Sequence, residues 1–299
     1  MNNRLNQISM KRRIRGLSKL STLPQVALNL IGLLENQQAS VADLAQLISI
    51  DQVLTARVLK LANSSNFGFK GQISTLNLAL VVVGFNALKN LILSISATDL
   101  LWQVRDFQPA RAEKFFLHGL IVGTGARVLA EKAAYPVPGE AFIAGLLHDI
   151  GYQIFNQIYP DQLDELYRYA EKKKLPLYLA EKKILDFDHT ELGTWLAEGW
   201  NLPGKLVNAI KYHHHPEKAK KYNDLVKIIH IADLVGSTIN EENGSNNGNI
   251  KCHKEIIHKI KHYLGIDGYS LEDCQNIFRL ECHKIPNFKN LSGLFEVNA

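Results

Sequence analysis

The sequence predicts an all-α fold. Apolar residues recur at helical spacing along almost its whole length, and capping residues stand at the start of most such runs. The two-residue alternation of a half-buried strand is almost absent. The 299 residues are 46% hydrophobic and 21% charged, ordinary values for a chain that buries a core. The length suits one or two domains, and global disorder is excluded.

The first twenty residues carry Arg4, Lys11, Arg12, Arg13, Arg15 and Lys19 and no acid. They are expected to form a basic, flexible tail over 1–16. Removing residues 1–14 should leave stability unchanged, because an apolar-poor arm buries little. From Ser21 the pattern turns helical: Ser21 or Thr22 caps, Pro24 suits the first turn, and Val26, Leu30, Leu33 and Leu34 share one face. Ser40-Val41-Ala42-Asp43 opens the next helix like a capping box, with Val41, Leu44, Leu47 and Ile48 turned inward. Asp51 caps a third, which ends in the turn-rich run 63–71. Ser74 opens a fourth, and Gly84 separates it from a fifth running through Leu88, Leu91, Ile92 and Ile95. Asn86, Lys89 and Asn90 stand among strongly apolar residues, so this helix pair reads as packing and not as a DNA-binding helix-turn-helix.

A long helix over 110–134 is stopped by Pro136 and Pro138. The next, over 141–150, is closed by Gly151 in the position just past a helix end. Helical patterns follow over 161–174, 176–185, 189–200, 203–215 and 224–239, with Trp195 and Trp200 in core or interface roles. The Gly/Asn-rich stretch 240–249 is a flexible loop. Residues 250–299 form a C-terminal extension with weaker helical patterns.

Composition narrows the function classes. A net charge of +5, from 34 Lys+Arg against 29 Asp+Glu, is too small an excess to define a nucleic-acid binder. The longest apolar run, Leu78 to Phe85, falls far short of the roughly 20 residues that span a bilayer, so no membrane insertion is expected. No signal peptide is legible. Three cysteines, Cys252, Cys274 and Cys282, exclude a disulfide scaffold and fit a reducing cytoplasm.

The residues that carry chemistry are histidines and aspartates. His148 and Asp149 are adjacent at the end of the apolar run AFIAGLLHDIG. Two helical neighbours point about 100° apart, so they converge only where a helix ends. Together such side chains suit Fe, Mn, Zn or Ni, although a capping His beside an exposed Asp reads equally well. His118 lies within the apolar FFLHGLIV, His189 starts a helix at DFDH, and His213, His214 and His215 run up to Pro216. Asp233 sits in IIHIADLV, where a buried carboxylate needs a partner. Taken singly, each is more often a hydrogen-bonded core residue or a solvated helix end than a ligand. His258 and His262, four apart with Cys252 nearby, match no structural zinc spacing.

The order of these residues, with LPQVALNLIGLL, LISIDQVLTARVLKLANSSNFG, ISTLNLALVVVGFNALKNLIL, AFIAGLLHDIGYQIF, FDHTELGTWLAEGWNLP and AIKYHHHPE, resembles the HDOD group. This is the bacterial HD-related output domain within the HD superfamily of metal-dependent phosphohydrolases. The resemblance covers roughly 17–238. It implies a multi-helix HD-like bundle over 111–239 preceded by an N-terminal helical HDOD part over 17–110. It implies metal ligands at His118, His148, Asp149, His189, His213 or His214, and Asp233, with one or two divalent ions (Fe, Mn, Ni or Zn). Asp149 would bridge two ions and is the candidate catalytic residue, in a site where metal-activated water attacks a phosphoester. Related cyclic-di-GMP phosphodiesterases keep a Lys in HD-x-G-K, where this chain has Tyr152, and their GYP signature gives way to HHHPEKAK. The resemblance therefore implies a signal-transduction module acting on a partner protein or a small phosphoester ligand, with a working phosphohydrolase or phosphodiesterase as the alternative. No receiver, PAS-like or GGDEF segment is legible beside the module, so its signal is expected from another chain or a ligand.

Overall fold

A computed structural model of the chain describes residues 40–241 other than 70, 86 and 89–108, residues 250–284, and the single positions Lys11, Ile14 and Leu33. Among the described residues every regular element is a helix. The helix expected over 24–34 apart from Leu33, the fifth helix beyond Leu88, residues 242–249 of the loop expected over 240–249 and the end of the extension past 284 lie outside them; Asn240 and Glu241, expected in that loop, end a helix instead.

Helix α1 (Val41–Ile48) starts at Ser40, whose hydroxyl accepts from the Asp43 N–H while Asp43 accepts from the Ser40 N–H, the reciprocal box expected there. Val41 was expected inward but is 39% exposed, because the first side chain of α1 projects past the core. Helix α2 (Gln52–Ala62) is capped by Asp51, which accepts from the Leu54 N–H, and is buried almost all round. Asn63 then braces the following loop: its amide donates to the carbonyls of Leu59 and Ile73, and its oxygen accepts from the Ile73 N–H. Helical turns occupy 76–85.

The second part begins with α3 (Pro109–Lys132), the central helix, against which α4 (Pro138–Leu147), α5 (Ile150–Ile158), α10 (Asn223–Glu241) and α12 (Leu271–His283) pack. Helix α6 (Pro160–Lys173) and α7 (Leu177–Leu185) form an outer pair. Helix α8 (His189–Gly199) packs on α5 and on α9 (Gly204–Tyr212), and α11 (Ile250–Leu264) lies along α10. At the α3–α4 crossing a Cβ on Gly145 would stand 2.8 Å from the Gly123 Cα. Only paired glycines let two backbones approach so closely.

The N-terminal helices join the same body. The Gln52 amide donates to the Phe115 carbonyl at 3.2 Å, and Ser74 donates to the buried Glu140 at 2.6 Å, a carboxylate that also pairs with Lys205. Ile14 is 1% exposed and belongs to the core, and Lys11 reaches Glu198 at 3.8 Å. The expectation that residues 1–14 bury little is corrected by this anchor; the rest of 1–16 lies outside the described residues. Ile14→Ala should lower unfolding free energy by about 2–5 kcal/mol, the usual range for emptying a core site. Denaturant melts of the two proteins check it, and an unchanged midpoint would show that the anchor carries no stability.

Candidate metal centre

Side chains from α3, α8, α10, the end of α9 and the break between α4 and α5 come to one point. His118 comes from the middle of α3. His148 and Asp149 come from the break between α4 and α5, where Asp149 takes φ −102° and ψ 17°. That departure from helical geometry turns two adjacent side chains to the same side. Gly151 was expected to end the helix, but the break falls at Asp149 and Gly151 is the second residue of α5. Its role is close approach: a Cβ there would lie 1.9 Å from the carbonyl oxygen of His189. The bare glycine lets the start of α8 abut α5 and brings His189 beside Asp149.

The distances separate two lobes. Asp149 Oδ2 faces His148 Nε2 at 3.3 Å and His118 Nε2 at 3.8 Å, and Asp233 Oδ1 lies 3.1 Å from His118 Nε2 and 3.6 Å from His148 Nε2. The other oxygen, Asp149 Oδ1, faces His189 Nε2 at 3.2 Å and His213 Nε2 at 3.5 Å. His214 Nε2 lies 3.2 Å from His189 Nε2, and its Nδ1 is 3.9 Å from Asp233 Oδ2. Three ligand sets, His118–His148–Asp233, His148–Asp149–His213 and His189–His213–His214, each have donor atoms within 4.8 Å of one another. Ligands sharing one ion lie within about twice a bond of ~2.0–2.2 Å, so small inward movements close each set. All seven residues singled out in the sequence therefore meet, and both His213 and His214 turn inward where one of the two was expected. His215 does not join them; it is half-exposed beside Glu217.

The ring orientations fit a cation. His148 Nδ1 donates to the Gly145 carbonyl at 2.7 Å and His213 Nδ1 to the Ile210 carbonyl at 2.9 Å. A carbonyl can only accept, which places the proton on Nδ1. Glu181, fully buried, takes both the backbone N–H of His189 at 2.7 Å and its Nδ1 at 2.8 Å. Three Nε2 atoms are thereby aimed at the centre by partners on their far sides, as metal-ligating histidines are. His148 Nε2 and Asp149 Oδ1 are buried without a hydrogen bond of their own, and such atoms are costly unless something binds them.

In the metal-free protein, protons balance the carboxylates. Burial alone would lower His148, but Asp149 and Asp233 outweigh it and push this imidazole up to about 10. Burial opposes ionisation of Asp149 and Asp233 too, yet the neighbouring histidines hold both well below the usual carboxylate range. Burial and the other imidazoles push His213 and His214 down, which leaves them neutral.

Three supporting residues escaped the sequence reading. Glu181 shares the apolar stripe of Leu177, Ala180 and Ile184, a position where a carboxylate needs a partner. His230 donates from Nδ1 to the His213 carbonyl at 2.7 Å, and Tyr178 stacks on His214 at 4.2 Å. Tyr152, in the position where related enzymes carry Lys, stacks on His189 at 4.2 Å and donates to Glu181 at 2.7 Å. His258 and His262 stack with centroids 5.8 Å apart, and neither is in any ligand set among the described residues.

Among the described residues no helix is long and apolar enough to cross a membrane. An uncharacterized protein of Treponema pallidum (strain Nichols) is 30% identical over 218 residues, 71% of this chain; the chain spans 41% of that protein's length. The MmoQ response regulator of Methylococcus capsulatus str. Bath superposes with a TM-score of 0.66 at 22% identity, over 87% of this chain and 99% of that one. An HDOD domain protein of unknown function from Geobacter sulfurreducens gives 0.53 at 24% identity, over 98% and 99%. At these identities the likeness shows the fold. Residues 20–216 match the HDOD domain, well over half of the sequence, and the chain therefore belongs to the HDOD domain family.

Proposed function

We propose that the chain is a signal-transduction HDOD module of the cytoplasm whose HD-like part holds a divalent transition-metal centre, and that it acts through a partner protein or a small phosphoester ligand. The observation that carries the metal reading is Asp149, whose two oxygens face two different sets of histidines. His118, His148, Asp149 and Asp233 would hold one ion, and Asp149, His189, His213 and His214 a second. Imidazole-rich sets with two carboxylates suit Fe, Mn, Ni or Zn better than Mg. A metal there supplies Lewis-acid charge, while Glu181 and the Gly145 and Ile210 carbonyls hold the rings in the receptive tautomer.

The regulatory reading is favoured by Tyr152. Its hydroxyl is committed to Glu181 and its ring is buried against His189, so this position offers no cation to a phosphate. The phosphohydrolase reading draws on the same Asp149, which would hold two ions in a site of the kind two-metal hydrolysis uses.

Metal analysis of protein purified without chelator or nickel resin tests the centre, with one or two transition-metal equivalents expected. At a hundredfold excess over the dissociation constant, added metal should stabilise the fold by about 2.7 kcal/mol. Absence of metal together with an unshifted melt would sink the centre. Loaded with Mn, Fe or Ni, the protein is expected not to turn over cyclic-di-GMP, nucleotides or generic phosphoesters. Robust hydrolysis lost in Asp149→Ala would establish the enzyme reading in its place.

A further inference from the structure

We propose that Lys259, in the C-terminal extension, positions the His213–His214 pair by fixing the tautomer of His230; the role of that pair rests on the metal-centre reading above. The His213 carbonyl lies at the end of α9, where the last carbonyls lack intrahelical partners. His230 supplies the partner across from α10, at 2.7 Å from Nδ1. That bond exists only while Nδ1 carries the ring proton, because a carbonyl cannot donate.

The carbonyl favours that form by itself, and the partner of the other ring nitrogen reinforces it. Lys259 Nζ lies 3.3 Å from His230 Nε2. An ammonium has donors and no acceptor, so Nε2 must accept and the proton must sit on Nδ1. Lys259 is itself steadied by Glu255 at 3.3 Å, one turn earlier on α11, and α11 packs along α10. Ammonium, ring and carbonyl thus form a line with one allowed direction, ending at the residue that carries one ligand and precedes the next. Without the lysine only the carbonyl opposes the Nε2–H form, which sets two acceptors 2.7 Å apart. The turn must then shift, and both imidazoles shift with it. Lys259 lies beyond residues 20–216 and beyond the 17–238 over which the chain resembles the family, so the lysine comes from the C-terminal extension.

The test combines Zn2+ affinity, measured by competition with a chromophoric chelator, with the ring 15N shifts of His230 in the metal-free protein. Lys259→Met should weaken Zn2+ binding about 10- to 100-fold, the usual loss when support behind a ligand is removed. It should also turn the His230 ring from the Nδ1–H form into a mixture. Lys259→Arg, which still donates, should restore both. In a His230→Asn background the amide donates without any tautomer to choose, so Lys259→Met should then have no further effect. Wild-type binding in Lys259→Met with an unchanged ring overturns the proposal, as does an equal loss in the His230→Asn background. If the wild-type protein binds no Zn2+, the metal-centre reading fails while the ring shifts still decide: a wild-type ring protonated on Nε2 refutes the lysine's role, and the Nδ1–H form lost in Lys259→Met supports it.

Discussion

Asp149→Ala is expected to remove metal from both lobes at once, with affinity falling by more than the roughly 10- to 100-fold typical of losing an outer partner. Each of its oxygens faces a separate set of imidazoles, 3.3 Å to His148 on one side and 3.2 Å to His189 on the other. Asp233→Ala removes a carboxylate that faces the first lobe at 3.1 Å and meets the second only at 3.9 Å from His214 Nδ1, so it should leave one equivalent bound, which makes the pair of variants diagnostic. Two equivalents retained in Asp149→Ala would refute the bridging role. The same variant should flatten a pH dependence of the metal-free fold. His148 is raised from 6.5 to about 10 chiefly by Asp149 against the pull of burial, so the folded state binds more protons than the unfolded one in that window. The stability His148 contributes is complete below about pH 6.5 and is lost as pH rises toward about 10. Melting temperatures across this range, in chelator, should fall for the wild type and fall less for Asp149→Ala.

The second large effect concerns Gly151→Ala. Alanine at an interior helical position ordinarily gains about 1 kcal/mol over glycine. Here the new Cβ would meet backbone, 1.9 Å from the His189 carbonyl oxygen and 2.7 Å from its carbon. Overpacking costs about 1–3 kcal/mol and sometimes more, and backbone cannot rotate away, so the clash wins. A net loss of about 2 kcal/mol or more corresponds to a melting temperature lower by roughly 4–8 °C. Because α8 must retreat, His189 leaves Asp149 and the second lobe should weaken in the same variant. Gly139→Ala is the control: its Cβ would meet only the Thr75 methyl at 3.5 Å, ordinary contact, and stability should hold. Equal melting of Gly151→Ala and wild type would mean the two helices are not pinned at this point.

The helices were legible because their signals are local. Ser40 and Asp51 cap where their side chains had to, whereas Pro138, read as a stop of the helix before it, opens α4 ahead of the expected 141. The seven residues that meet at the candidate centre were legible through their order along the chain. What supports them was not, because it depends on distant contact. Glu181 lies in the lysine-rich AEKKIL, and its burial follows from α7 folding over His189. His230 reads as one more residue of an apolar helix until α9 brings a carbonyl to it. Gly151 shows the hazard of a local rule: glycine past an apolar helix suggests a terminus, whereas the constraint came from α8. Ile14 sits among arginines, and sequence proximity to charge concealed its burial.

The contact between His118 and Asp233 joins residues 115 apart in the chain, which imposes a schedule on a protein made from one end. At the usual ribosomal speed of about 5–20 residues per second, His118 waits on the order of ten seconds for its carboxylate partner. The second lobe is complete once His214 has been made, and the first stays open until Asp233 follows. A nascent chain therefore offers His189, His213 and His214 beside Asp149 before it offers Asp233. Were both lobes to take ions during synthesis, the chain order would complete the second lobe before the first. A fragment cut at residue 216 stays at the halfway stage for good, with Asp149 present and one of its two neighbouring sites unfinished.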